Sequence, residues 1–151
     1  MTVIIEPTYP KSPNAAKLLL QSQKFMQKLY SNEENLALSV EQLCAPNVQF
    51  FIAREYDVSL GCGALMLCEA YVEVKSLFVL PFARGQGVAA KLIRRIELEA
   101  RLADHSILRL ETGQELKAAM ALYKRLGFTT SGPFGSYKSN SASVFMEKKL
   151  V

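Results

Sequence analysis

The sequence predicts an α/β protein of the α+β type, in which a mixed central sheet of about six to seven strands is flanked by about four helices. Changes of hydrophobic period carry that prediction. Between Val48 and Leu80 apolar residues fall in short β-rich runs separated by turn residues, and from Val88 onward they recur at three and four residues. A strand, helix, strand, helix, strand order then closes the chain. With 151 residues and no repeat, low-complexity tract or Pro/Gly/Ser-rich linker, residues 1–151 read as a single domain that can bury a core without disulfides or a structural metal.

The first element, VIIEPTYP (Val3 to Pro10), reads as a strand limited by its prolines. Ser12 is then placed to N-cap a helix with Pro13 at its first position, where the missing N–H costs nothing, and the apolar spacing continues to about Tyr30. Ser39 and Gln42 match a capping box that opens a second, shorter helix, limited by Pro46.

VQFFIARE (Val48 to Glu55) and VSLGCGALMLCEA (Val58 to Ala70) flank Tyr56-Asp57 and read as an antiparallel hairpin. Gly61 and Gly63 mark a bulge or a close backbone approach in its second strand. Tyr71 to Leu80 is the next strand, and strict alternation would set Glu73, Lys75, Leu77 and Val79 on one face.

In the second half, Ala89, Leu92, Ile93, Ile96, Ala100 and Ala103 form a helical stripe that packs on a sheet, with Lys91, Arg94, Arg95, Glu99 and Arg101 off it. Ile107 to Glu111 is a short strand. ELKAAMALYKRLGF is a helix whose stripe includes Leu116, Ala119, Met120 and Tyr123, with Gly127 as its C-terminal stop. Ser143 to Leu150 reads as the closing strand, with Phe128 to Ser131 as its candidate partner.

Composition narrows the function classes. Half the residues are hydrophobic and 21% are charged, as in soluble globular proteins. A net charge of +4 suits an anionic ligand but falls short of a nucleic-acid-binding tail, so no nucleic-acid partner is expected. Cys44, Cys62 and Cys68 are odd in number, lack C-x-x-C spacing and lie in apolar stretches, which reads as buried reduced thiols. His105 is the sole histidine, in LADHS, and reads as a helix-end or loop residue; no Cys/His set for a metal accompanies it, and a Ser-His-Asp triad would rest on it alone. No signal-peptide pattern opens the chain and its apolar runs are short, so a cytoplasmic location without a membrane partner is expected.

The segment VLPFARGQGVAAKLIRRIE, Val79 to Glu97, holds the chemistry. It passes from a strand through Arg84, Gly85 and Gly87 into a helix with no acidic residue in its first turns. A helix N-terminus has unpaired N–H groups and partial positive charge, so an anion can supply what this sequence leaves out. Two glycines leave the backbone uncovered, Ala89 and Ala90 keep the first turn small, and Arg84 adds a cation, which suits a phosphate or pyrophosphate. The P-loop pattern fails, because Val-Ala-Ala follows Gly87. Gly85-x-Gly87-x-x-Ala90 fits a dinucleotide fingerprint with a terminal Ala, but a meander precedes it instead of the start of a βαβ unit. Arg84-x-x-Gly87-x-Ala89 meets a third pattern, Q/R-x-x-G-x-G/A.

With LFVLPFARGQGVAAKL and ALYKRLGF in this order and a strand between them, the chain resembles, over most of its length, the GNAT superfamily of acetyl-CoA-dependent N-acetyltransferases. The resemblance implies the GNAT fold, acetyl-CoA as co-substrate and no metal. It assigns backbone groups of Leu77, Phe78 and Val79 to the acetyl carbonyl and pantetheine arm, and Arg84, Gly85, Gln86, Gly87, Val88, Ala89 and Ala90 to the pyrophosphate. The sheet would splay beside the fourth strand, where a β-bulge frees N–H groups to serve as an oxyanion hole.

In this family an amine attacks the thioester directly in a ternary complex. Tyr123 matches the tyrosine that contacts the CoA sulfur and can act as general acid, though it would be equally at home as a packed core residue. Glu73 matches a position where some members carry a catalytic glutamate, or it pairs with Lys75; Glu111 is a second candidate base, and a water chain a third. Leu116 stands where many members have an Asn that binds the pantetheine arm, with Gln114 nearby. The first helices and SGPFGSYKSN would surround the acceptor, Phe134 and Tyr137 forming either a lid or a surface turn.

The function expected on this basis is acetyl transfer to a primary amine of a small molecule. The alternatives are a protein or peptide N-acetyltransferase, and a non-catalytic acetyl-CoA-binding module. Association as a homodimer is a further expectation of the resemblance.

Overall fold

The meander expected between Val48 and Leu80 forms the centre of a seven-stranded sheet in the computed structural model, which describes residues 2–151. The elements in chain order are β1 (Ile4–Pro7), α1 (Pro13–Gln27), α2 (Val40–Leu43), β2 (Val48–Glu55), β3 (Val58–Leu67), β4 (Val72–Val79), α3 (Val88–Leu102), β5 (Ile107–Gly113), α4 (Lys117–Arg125), β6 (Thr129–Ser131) and β7 (Ser143–Lys149). Strands lie in the order β1-β2-β3-β4-β5-β7-β6, antiparallel throughout except at β4–β5. The expected strand and helix inventory is therefore present.

Alternation along the strands sorts the core into two layers. Phe51, Ala53, Leu65, Val72 and Val74 face α3 and α4, meeting Leu92, Ile93, Ile96 and Tyr123. Phe50, Ile52, Cys62 and Ala64 face the other way, under Ala15 and Leu18 of α1 and Leu43 of α2. A sheet covered on both faces explains why β2 and β3 read as continuous apolar runs.

Several local expectations are revised. Helix α1 stops at Gln27, short of Tyr30, where Lys28 and Leu29 N–H groups bond to carbonyls three residues back and tighten the last turn. Ser12 holds the N-cap position, but its hydroxyl caps nothing and is buried without a partner. The box at Ser39 forms in both directions: its hydroxyl accepts from the Gln42 N–H, and the Gln42 side chain accepts from the Ser39 N–H. On α3 the buried stripe starts at Val88 instead of Ala89, and Ala103 is exposed at the C-cap, because the helix opens one residue after Gly87 and ends at Leu102. Glu97 joins the buried side, its carboxylate held 2.5 Å from the Lys148 ammonium. Cys44 is exposed at the end of α2, unlike buried Cys62 and half-buried Cys68; all three are free thiols. His105 lies just beyond α3, as expected.

Helix α4 ends as its sequence predicts. Gly127 adopts a φ of 98°, the Gly127 N–H bonds Lys124 O, and the Phe128 N–H reaches back to Tyr123 O. That is a Schellman stop, with Tyr123 fixed in the last turns.

Candidate active site

Strand β4 builds the centre of the site by breaking its own alternation. Register against β3 shifts between Cys62 and Ala64, so Ser76 and Leu77 lie opposite Gly63, and Ser76 sits at a φ of +55°. The bulge inverts the faces of the strand. Leu77 and Val79 pack with Val72 and Val74 against α3, whereas Phe78 joins the α1 side. Glu73, Lys75, Leu77 and Val79 therefore do not share one face, because the extra residue shifts the period between Lys75 and Leu77. The reading of Gly61 and Gly63 holds: a Cβ on Gly61 would lie 2.6 Å from Phe78 O.

Beyond Glu73, β4 loses its second neighbour. The parallel ladder with β5 has only the pairs Val72↔Leu108 and Glu73↔Arg109, although β4 continues to Val79 and β5 to Gly113. Backbone groups of β4 that would face β5 there have no strand to pair with, and β5 remains held by β7. The splay opens a cleft of about 780 Å³, a size suited to a cofactor or small ligand. Leu77, Phe78 and Val79 line one wall, and Leu110, Glu111 and Thr112 line the facing one.

The glycine loop closes one end. Gly85 and Gly87 take φ values of 77° and 81°, and a Cβ on either would meet nothing within 4 Å, so their backbone is open to a ligand. Helix α3 starts with no side-chain cap and no acid in its first turn. Arg84 is pinned at this mouth: its Nε donates to Val79 O at 2.9 Å, and its guanidinium lies 5.2 Å from the Phe25 ring centre and 5.8 Å from that of Phe78. Arg84, Gly85, Gly87, Val88, Ala89 and Ala90 all line the cleft. Gln86 does not, since its side-chain amide turns back to donate to Phe82 O.

Tyr123 reaches the cleft from α4 and is also a core residue, 6% exposed and edge-on to Phe128. The packed-core reading is thus realised, with the ring also bordering the cleft. Its hydroxyl titrates well above the usual tyrosine range, first because it is buried and second because the Glu111 carboxylate is near. Glu111 lies on the cleft wall, accepts from the Ser143 hydroxyl at 2.7 Å, and is raised from the ordinary carboxylate value by burial, with the Ser143 bond and Lys75 opposing. Leu116 lines the cleft and Gln114 does not.

Glu73 stands off the cleft wall. Its carboxylate, 3% exposed, is 3.2 Å from the Lys75 ammonium and accepts from the Tyr137 hydroxyl at 2.5 Å. The pairing with Lys75 is therefore present, and Lys75, not Glu73, reaches the cleft. Phe134 and Tyr137 bound a turn whose tip, Gly135-Ser136, is exposed, with the Tyr137 N–H donating to Phe134 O at 3.1 Å, but their rings turn inward: Phe134 is 6% exposed and packs edge-on to Tyr71, Tyr137 and Phe145. The joining of Tyr137 to the Glu73–Lys75 pair and the role of Tyr30 leave no mark in the sequence, because both depend on loop residues that have no period. Tyr30 roofs the cleft beside Leu29, Leu36 and Ala37, and its hydroxyl accepts from the Glu115 N–H at 3.0 Å.

Comparison with known proteins agrees with this geometry. The family described as "Acetyltransferase (GNAT) domain" matches residues 46–130. The chain is 39% identical over 150 residues to an IAA acetyltransferase of Azospirillum brasilense, covering 98% of each protein. It superposes on an acyl-CoA N-acyltransferase, so assigned, from Klebsiella pneumoniae with a TM-score of 0.83 and 32% identity over 99% of each chain. The PaiA N-acetyltransferase of Thermoplasma acidophilum, solved in complex with coenzyme A, shares the fold at a TM-score of 0.79 and 18% identity, over 99% of each chain. The chain belongs to the GNAT family of acetyltransferases. Among the described residues no helix is long and apolar enough to cross a membrane.

Proposed function

We propose that this protein transfers the acetyl group of acetyl-CoA to the primary amine of a small molecule, by direct attack in a ternary complex. The observation that carries the reading is a single cleft joining an uncapped, glycine-opened helix N-terminus to the unpaired edge of β4 and to Tyr123.

The residues fit the donor. N–H groups from Gly85 to Ala90, with the Arg84 guanidinium, suit a pyrophosphate, and their glycines leave it room. The free edge from Leu77 to Val79 offers donors to the pantetheine amides and to the carbonyl oxygen as it gains charge. When bound, acetyl-CoA supplies the activated thioester. Tyr123, which borders the cleft and is kept protonated by burial, is the candidate proton donor to the sulfur. Glu111 is the carboxylate on the cleft wall and is the candidate base for the incoming amine. Glu73 acts on the site through Lys75.

The roof from Leu29 to Ala37 favours a small acceptor over a peptide groove, and the name of the Azospirillum relative agrees with a small-molecule substrate. Calorimetric titration with acetyl-CoA tests the donor site, with Ala89→Glu alongside. The native protein should bind saturably and the variant should not, because its carboxylate would stand where the pyrophosphate is assigned. No binding to the native protein would refute the reading.

A further inference from the structure

We infer that the acceptor is an amine on an apolar body with no carboxylate beside its nitrogen. This rests on the acetyltransfer reading of the same cleft. The acceptor half is walled by Met26, Leu29 and Leu36, which suit an aromatic or alkyl body.

The polar groups at its floor decide the charge of the ligand. Lys75 is the β4 cation in the cleft wall, and a carboxylated acceptor would need it as counter-ion. It is already filled. The ammonium has three protons and three acceptors: Glu73 Oε2 at 3.2 Å, the Tyr137 hydroxyl oxygen at 2.8 Å and Leu36 O at 3.4 Å. Tyr137 in turn donates to Glu73, so the trio is satisfied within itself and only 7% of Lys75 is exposed. The Glu73 carboxylate cancels its charge.

Glu111 is not cancelled. Its hydrogen-bond partner is the neutral Ser143 hydroxyl, and it leaves this floor with a negative charge that an incoming ammonium would neutralise. A carboxylate on the acceptor would meet Glu111 with no unpaired cation on this floor to offset the repulsion. Of the other cations of the cleft, Arg84 is held at the loop mouth by Val79 O and the Phe25 and Phe78 rings, and Lys117 and Arg125 are exposed on α4; all three stand on elements assigned to the donor. Specificity for amine over amino acid then comes from a cation that the protein has already paired.

The test uses pairs that differ only in the carboxylate: phenethylamine against phenylalanine, and tryptamine against tryptophan, each assayed for CoA release from acetyl-CoA. Each amine should exceed its amino acid in kcat/KM by about tenfold or more, since an unpaired buried charge is discriminated strongly. Glu73→Gln uncovers the Lys75 charge and should narrow that ratio several-fold; if it does not fold, Tyr137→Phe, which frees one ammonium proton, is read the same way. Amino acids matching or exceeding the amines would overturn the inference. So would a protein that binds acetyl-CoA yet acetylates neither member of either pair, or a ratio that Glu73→Gln leaves unchanged. Failure to bind acetyl-CoA at all would instead overturn the acetyltransfer reading on which it depends.

Discussion

The Tyr30 hydroxyl occupies the space that a side chain on Gly113 would need: a Cβ there would stand 1.8 Å from Tyr30 Oη. The same hydroxyl accepts from the Glu115 N–H, so the segment that follows α1 is tied to the turn between β5 and α4, across the cleft. Gly113→Ala must expel Tyr30 and should cost about 1–3 kcal/mol, as overpacking does. Tyr30→Phe, which leaves the Glu115 N–H unpaired, should cost about 1 kcal/mol. Thermal denaturation reads both, and in a Tyr30→Ala background Gly113→Ala should become nearly silent. An additive double variant would show that the two residues do not compete for one space.

Tyr123 separates stability from activity. Its ring is packed in the core and borders the cleft, and among the described residues no side-chain hydrogen bond ties its hydroxyl to the fold, so Tyr123→Phe removes little that holds the protein together. The variant should melt within about 0.5 kcal/mol of the native protein. Turnover should fall by about 10²-fold if the hydroxyl gives its proton to the leaving sulfur. Acetyl-CoA affinity, measured separately, should change little. A variant with unchanged kcat would remove Tyr123 from proton transfer and leave it as packing.

The parts of this fold that were legible in the sequence are those set by short-range rules. Ser39 and Gln42 are three residues apart, Gly127 stands where a left-handed residue is required, and the bare start of α3 shows in six consecutive residues from Gly85. Reading failed where one residue reset a period or where distant loops met. The bulge at Ser76 turned Leu77 and Val79 away from Lys75, which no alternation count across Tyr71 to Leu80 can detect. Tyr137 lies in an aperiodic segment, and only the tertiary fold brings it to Glu73. Lys75 gave no signal of its own beyond its place two residues from Glu73.

The cysteines differ in what they predict. Cys62 is fully buried between β3 neighbours and the α1 layer, its thiol lies 3.4 Å from Ser76 O, and burial pushes its pKa up to about 12. The thiolate is the reactive form, so Cys62 should resist a maleimide at neutral pH until the protein unfolds. Exposed Cys44 should be labelled first, with half-buried Cys68 following. Peptide mapping after timed labelling checks the order. Labelling of Cys62 at the rate of Cys44 would contradict the burial of the bulge.

Glu111 sets the expected pH dependence. Burial raises its pKa above the ordinary 4.5, and a base works only when deprotonated, so the acid limb of kcat/KM should lie above the usual carboxylate range. The Ser143 hydroxyl bond opposes that rise by favouring the charged form, and Ser143→Ala should therefore move the limb to still higher pH. Stability carries the opposite sign. A carboxyl whose pKa is higher folded than unfolded binds its proton better in the native state, so its contribution is present below the unfolded value and lost as pH rises through the folded one. Glu111→Gln keeps the hydrogen-bonding shape without the charge, and it should lower kcat by about 10²-fold or more while leaving the protein no less stable at neutral pH. A profile of kcat/KM against pH for the native, Ser143→Ala and Glu111→Gln proteins, with melting curves at the same pH values, reads both signs. An acid limb unmoved by Ser143→Ala would assign the limb to another group.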